Sequence, residues 1–183
     1  TGGVVGGALA MAIGGGIKRS DTINNFPNVM KNFGISSDAA AKTIESLSNS
    51  LKGLPTPLDA AVSGVQRLVS KNGDLGQSEK MFLAVNNAIL AGGAPMEQQA
   101  NALEQLTQAY SKGHMDMMEW RSLQMAMPAQ LNQVAKAMGI TTDALGEGLR
   151  TGEISMESFM ETLMQLNEEG IDGLGSFEEQ ARR

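Results

Sequence analysis

The chain of 183 residues contains no cysteine and a single histidine, His114. The absence of cysteine excludes disulfide bonds, thiolate metal ligands and a cysteine nucleophile. One histidine leaves little for a zinc site or for histidine-based acid–base catalysis. The motifs G-x-S-x-G and H-E-x-x-H and a phosphate-binding glycine loop are also absent. We therefore expect no enzyme activity, no metal site and no cofactor.

Basic residues are scarce toward the C-terminus. From Asp143 to Glu179 there are ten acidic residues and one basic residue, Arg150, and the formal net charge of the whole chain is −6. Such a segment repels DNA and anionic membranes. Acidic pairs such as Asp116 and Glu119 fall on one helix face, whereas catalytic carboxylates normally flank a cleft from different elements. We interpret these pairs as solvated helix faces and expect no nucleic-acid binding.

The N-terminal apolar run is too short to cross a membrane. Val4 to Ile13 spans ten residues, about half of what a bilayer requires, and no basic segment precedes it as in a signal peptide. The chain begins with threonine, so we expect a piece of a longer protein. We interpret residues 1–20 as a glycine-rich apolar stub, flexible or packed on the upstream chain, and as the only segment expected to reach a membrane. Residues 21–168 are interpreted as one helical domain and residues 169–183 as the start of a linker.

From residue 36 onward, apolar residues recur at helical spacing between start and stop signals. Pro57 and Pro95 mark helix starts, and Gly53 and Gly113 mark helix ends. No run alternates with period two over a length typical of a strand. The pattern predicts an all-α fold, a compact bundle of about seven to eight short helices.

The segment MDMMEWRSLQMAMPAQL, Met115 to Leu131, holds five methionines and the only tryptophan. Pro128 cannot lie inside an undisturbed helix, so we expect one helix to end near Ala126 and another to begin at Pro128. Methionine suits both irregular cores and adaptable surfaces. We interpret most of the segment as core centred on Trp120, with a surface fraction as the best candidate interface. This core signature and candidate interface comprises Met117, Trp120, Arg121, Leu123, Met125, Met127 and Pro128.

The run QVAKAMGITTDALGEGLRTG has the spacing of a helix-turn-helix unit. Ala135 falls where the helices cross, Gly139 at the turn and Leu145 in the second helix. This spacing specifies helix packing, whereas reading DNA also requires side chains for base edges and phosphates. The second helix, TDALGEGLR, offers two acids, two glycines and one arginine. We expect an architectural use, and an adaptor or DNA-binding regulatory domain is the alternative.

Five runs, in this order, resemble the conserved N-terminal region of tail tape measure proteins from long-tailed bacteriophages and prophages of Gram-positive bacteria. The likeness is most specific in M-E-W-R-S-L-Q with the following M-P and in N-N-A-I-L-A-G-G-A, and it extends from about Gly16 to Leu166. The five runs are NNFPNVMKNFG (Asn24 to Gly34), LPTPLDAAVSGVQRL (Leu54 to Leu68), AVNNAILAGGA (Ala84 to Ala94), LEQLTQAYSKG (Leu103 to Gly113) and DMMEWRSLQMAMPAQL (Asp116 to Leu131).

The resemblance implies a structural role. Tape measure proteins are long, largely helical chains that occupy the tail tube during assembly and set its length. It therefore implies assembly in the bacterial cytoplasm, a final place in the virion tail, several copies that associate with one another, and tube, tip or tail assembly chaperone proteins as partners. It brings no catalytic residues. Short capped helices describe a compact body rather than a rod that gains about 1.5 Å per residue, so we expect a folded head that anchors or nucleates assembly and is not itself the ruler.

Overall fold

A computed structural model describes residues 16–183, with side chains from residue 21 onward. Within this range the chain forms ten helices and no strand, so the predicted all-α class is confirmed with slightly more helices than expected. Most of the predicted stub, residues 1–15, lies outside the described residues. The helices are α1 (Gly16–Lys31), α2 (Ser37–Ser50), α3 (Leu58–Asn72), α4 (Leu75–Ala91), α5 (Met96–Lys112), α6 (Met117–Ala126), α7 (Pro128–Ala137), α8 (Thr142–Thr151), α9 (Met156–Glu168) and α10 (Phe177–Ala181).

The chain divides into two compact units, Thr1–Glu79 and Lys80–Arg183. Helices α1 to α3 belong to the first unit and α5 to α10 to the second, while the boundary falls inside α4. The sequence indicated one helical domain over residues 21–168. Two compact units can belong to one domain, so these domain bounds stay a prediction.

Helix α1 in the first unit has no counterpart among the sequence expectations. It contains Pro27 in its interior, which costs a helix roughly 3 kcal/mol. Phe26 and Met30, one turn apart, are fully buried, and each contributes about 1.5–3 kcal/mol by burial. Contacts of α1 with both α2 and α3 therefore offset the proline, a tertiary gain that local sequence signals do not report.

The start of α4 is set by two side chains in the turn before it. The Asp74 N–H donates to Asn72 Oδ1 at 2.8 Å, and the Gln77 N–H donates to Asp74 Oδ1 at 3.0 Å. The helix begins at Leu75. Asp74 therefore caps the N-terminus of α4.

In the second unit, α5 packs against α6, and α7 packs against α6, α8 and α9. Helix α9 also contacts α5 and α10. The predicted break is confirmed: α6 ends at Ala126 and α7 begins at Pro128. A Cβ atom on Gly92, at the end of α4, would lie 1.9 Å from the Ala126 carbonyl oxygen, so the backbone at the break lies directly against that glycine. The largest fully buried side chains of this unit include Leu106, Met115, Leu123, Met127, Leu131, Leu145, Phe159 and Phe177.

Residues 169–183, predicted to begin a linker, fold onto the second unit. The short helix α10 begins with a capping box between Ser176 and Glu179, Phe177 is fully buried, and α10 contacts α9. Whether a linker begins within this segment stays a prediction. Across the described part of the chain, no helix combines the length and apolar character that crossing a bilayer requires.

Candidate functional site

The start of α6 is built from a capping box that carries an additional lysine. Asp116 Oδ1 accepts a hydrogen bond of 2.8 Å from the Glu119 N–H, and Glu119 Oε1 accepts one of 2.9 Å from the Asp116 N–H. Lys112 Nζ lies 3.0 Å from Asp116 Oδ2 and 3.1 Å from Glu119 Oε2. The Glu119 side chain is 1% exposed, so the interpretation of this pair as a solvated face is wrong for Glu119. The two acids cap the N-terminus of α6.

The same contacts shift two ionisation equilibria. Hydrogen bonds from the Glu119 backbone N–H and from Lys112 hold the pKa of Asp116 below its usual value. Hydrogen bonds to Asp116 and then to Glu119 raise the pKa of Lys112. Both shifts favour the charged forms, which is expected where each charge has a partner.

Trp120 lies directly against the backbone of α8. A Cβ atom added to Gly146 would be 2.5 Å from the indole carbon Cε2, and real Cβ atoms essentially never come this close to another heavy atom. Only glycine at this position lets the ring approach the helix so closely, and the ring is left 8% exposed. The N–H of Met115, just before α6, also donates to the Leu149 carbonyl of α8 at 3.1 Å. The Trp120 ring and the Met115 hydrogen bond therefore both connect the start of α6 to α8.

The predicted core signature and candidate interface divides between interior and surface. Leu123 and Met127 are fully buried and Trp120 nearly so. Met117 is 43% exposed and Met125 62% exposed, and Arg121 and Pro128 are also exposed.

A cleft of about 310 Å³ opens between α6 and α8. Met117, Trp120 and Gln124 line it from α6. From α8 it is lined by Asp143, Gly146, Glu147 and Arg150, and Arg150 forms an ion pair with Glu147. The cleft thus has an apolar floor of methionine and tryptophan and a charged rim. We name it the α6–α8 cleft; of the seven predicted residues it contains Met117 and Trp120.

The helix-turn-helix unit is confirmed as α7 and α8. The Gly139 N–H donates to Lys136 at 3.0 Å and the Ile140 N–H to Ala135 at 3.0 Å, the paired bonds of a Schellman closure. Ala135 and Leu145 are buried as the spacing predicts. The exposed charged side chains of α8 are Asp143, Glu147 and Arg150, which offer a duplex more repulsion than attraction. The two helices of the unit pack against each other.

A glutamine network that the sequence did not reveal joins the C-terminal segment to α7. Gln180 Oε1 accepts a hydrogen bond of 2.9 Å from Gln130, and Gln180 Nε2 donates to Gln133 at 3.0 Å and to the Gly175 carbonyl at 2.8 Å. Gln130 and Gln133 are buried. The only signal was two glutamines one turn apart within an apolar stretch, which also fits a solvated helix face. Among residues 16–183, no cluster of three or more histidine or acidic residues is arranged to hold a metal ion.

A comparison with protein-family models found a match to the family described as tape measure protein over residues 14–181. The chain belongs to the tape measure protein family. The match continues past Leu166, the predicted end of the resemblance, and includes α10. No curated protein and no solved structure matched the chain. The tape measure protein family is structural rather than enzymatic. Its members are components of the phage tail and associate with other tail components.

Proposed function

We propose that this chain is a folded head of a tape measure protein that anchors one end of the protein or nucleates tail assembly, and that it contributes to tail-length control without being the ruler. Its partners in this proposal are tube, tip or tail assembly chaperone proteins, together with further copies of the chain. The host is a Gram-positive bacterium, as the resemblance of the five runs implies, and assembly takes place in the cytoplasm.

The supporting observation is that the helices fold back on one another within each unit. A ruler gains length with every residue, about 1.5 Å in a helix. The longest helices among residues 16–183 have 17 residues, roughly 25 Å each. Helices α5 and α6 pack side by side and α9 returns to contact α5, so adding residues to this unit would not extend it in proportion.

Tail length in the phage tests this proposal. We would delete residues 16–183 in frame from the gene that encodes the chain and measure tails by electron microscopy. A ruler segment would shorten tails by about 250 Å in a narrow distribution, and that result, or tails of unchanged length and number, would contradict the proposal. Loss of tails, or tails of widely scattered length, is the expected outcome. The matched control is a deletion of equal length in a continuous helical part of the same protein, which should give uniformly shorter tails.

Mass spectrometry of purified tails tests whether this head stays in the particle. The tryptic peptide SLQMAMPAQLNQVAK, Ser122 to Lys136, is a suitable marker because it crosses the break between α6 and α7. We expect it at a few copies per particle, together with peptides from later in the reading frame. Tails that contain only the later peptides would contradict an anchoring role in the finished tail.

A further inference from the structure

The α6–α8 cleft has the properties of a docking groove rather than of a small-molecule pocket. Its volume of about 310 Å³ lies at the lower end of the range for ligand pockets, roughly 300–1,000 Å³. Exposed apolar surface lies beside it, because Met118 and Met125, 73% and 62% exposed, each follow a cleft-lining residue of α6 and so lie next to it on the helix surface. An occupant would therefore touch the cleft and the helix surface beside it, as an amphipathic helix lying in a groove can.

The floor of the cleft is both rigid and adaptable. The Trp120 ring is held against α8 because Gly146 has no side chain, so it supplies a fixed aromatic surface. Met117 stands at the first position of α6 and is 43% exposed. Methionine side chains adjust their shape to a partner at low cost, and tryptophan and methionine are enriched at the centres of protein interfaces.

The charges around the cleft select the kind of partner. Asp143 and Glu147 stand one turn apart on α8 and both line the cleft. Arg150 is ion-paired with Glu147, so the carboxylate of Asp143 is the rim charge left to attract a cation. The second unit, which contains the cleft, carries fourteen acidic and seven basic residues. Its negative potential attracts positively charged partners and repels acidic ones. A second copy of this unit fits poorly for the same reason.

We propose that the α6–α8 cleft binds a basic amphipathic helix of a partner protein, with an apolar side chain inserted between Met117 and Trp120 and a lysine or arginine beside Asp143. This inference goes beyond the anchoring role and does not depend on it, because it is carried by the shape and charge of one cleft.

The test is a titration of the 183-residue chain with a synthetic helix. The probe is a peptide of about 14 residues, roughly four turns, made of leucine and lysine with the leucines on one face. One control peptide replaces leucine by serine, and another replaces lysine by glutamate. Affinity is measured by calorimetry. Trp120 is the only tryptophan, so a change in its fluorescence reports binding at the cleft itself.

Matched substitutions distinguish binding of the peptide at the cleft from its general attraction to an acidic protein. Asp143→Asn removes an acid from the second position of α8, and Glu157→Gln removes one from the second position of α9, outside the cleft. Met117→Gln and Met96→Gln likewise change exposed methionines at the first positions of α6 and α5.

We expect the leucine–lysine peptide to bind with a change in Trp120 fluorescence, and both control peptides to bind at least about tenfold more weakly. Asp143→Asn and Met117→Gln should each weaken binding by about fivefold to tenfold, as loss of a charged or apolar interface contact does. Glu157→Gln and Met96→Gln should change it by less than about twofold. The proposal is overturned if the peptide does not bind, or if each cleft variant and its matched control weaken binding equally. It is also overturned if the change in Trp120 fluorescence is caused by self-association of the chain rather than by the peptide.

Discussion

The two units differ most in charge. The first, Thr1–Glu79, carries seven basic and six acidic residues, and the second, Lys80–Arg183, carries seven basic and fourteen acidic residues. Their formal net charges are therefore +1 and −7. Both units are helical, so the difference does not arise from fold class. Surface charge governs which partners approach a protein and has little effect on its fold.

The units also differ in the apolar surface that they leave exposed. Among the described side chains, Phe33 is the only large exposed apolar residue of the first unit. The second unit contains eleven of the thirteen methionines. Its large exposed apolar residues are Met96, Met117, Met118, Met125 and Leu174. Exposed apolar surface combined with one sign of charge is typical of an interaction site, so among the described residues we expect binding mainly at the second unit.

The largest expected effects come from removing one large buried side chain in each unit. Phe26 in the first unit and Phe159 in the second are both fully buried, and Phe26→Ala or Phe159→Ala should each lower the free energy of unfolding by about 3–5 kcal/mol. Urea unfolding followed by far-ultraviolet circular dichroism reports both units, whereas Trp120 fluorescence reports the second. A loss of less than about 1 kcal/mol on Phe159→Ala by fluorescence would show that the second core is not packed as described.

A pair of glycine substitutions sharpens the comparison between the units. Gly146→Ala in the second unit puts a Cβ atom 2.5 Å from Trp120, and we expect a loss of about 1–2 kcal/mol, since overpacking outweighs the gain in helix propensity. Gly76→Ala, in the part of α4 that belongs to the first unit, meets only an atom 3.8 Å away and should gain up to about 1 kcal/mol. Equal effects of the two substitutions in urea unfolding would contradict the close contact of Trp120 with α8.

The glutamine network gives a test of the C-terminal segment. Gln180→Ala removes three hydrogen bonds and leaves the buried amides of Gln130 and Gln133 short of partners, so we expect a loss of about 1–3 kcal/mol. Gln165→Ala on the exposed face of α9 is the control and should change the free energy of unfolding by less than about 0.5 kcal/mol. If limited proteolysis removes residues 169–183 equally fast from both variants and from the unaltered chain, the network does not hold the segment in place.

The smallest expected effect is on the pH dependence of stability. Asp116 and Glu179 have lowered pKa values in the folded chain because backbone N–H groups at helix starts donate to them. Their contribution is therefore complete above the ordinary values of 3.8 and 4.5 and is lost as the pH falls through the lowered ones. Lys112, with its raised pKa, acts in the opposite direction and loses its contribution above pH 10.5.

Asp116→Asn keeps a capping side chain but removes the titrating charge. We expect this variant to lose stability less steeply than the unaltered chain between pH 5 and 2.5, roughly one to two units either side of the ordinary carboxyl pKa. The measurement is urea unfolding followed by Trp120 fluorescence across that range. Parallel curves for the two proteins would mean that Asp116 titrates identically in the folded and unfolded chains.

Much of the fold could be predicted from local signals in the sequence. Helix ends at Ala126 and Gly113, the start at Pro128 and the turn at Gly139 depend on residues that act on their own backbone through a missing N–H or a left-handed conformation. Such effects need no distant partner. The family was also predictable, since the runs that carry the resemblance are continuous in sequence.

Other features were decided only by the tertiary structure. Helix α1 forms across Pro27 because Phe26 and Met30 are buried against neighbouring helices, and α10 is held by glutamines about fifty residues away. The α6–α8 cleft depends on the position of Gly146 relative to Trp120. The sequence by itself determined where helices with strong local start and stop signals begin and end, and the charge that they carry, because these are properties of neighbouring residues. Which methionines face the cleft, and how close the indole ring comes to α8, were decided by packing between residues far apart in the chain, where burial outweighs local preference.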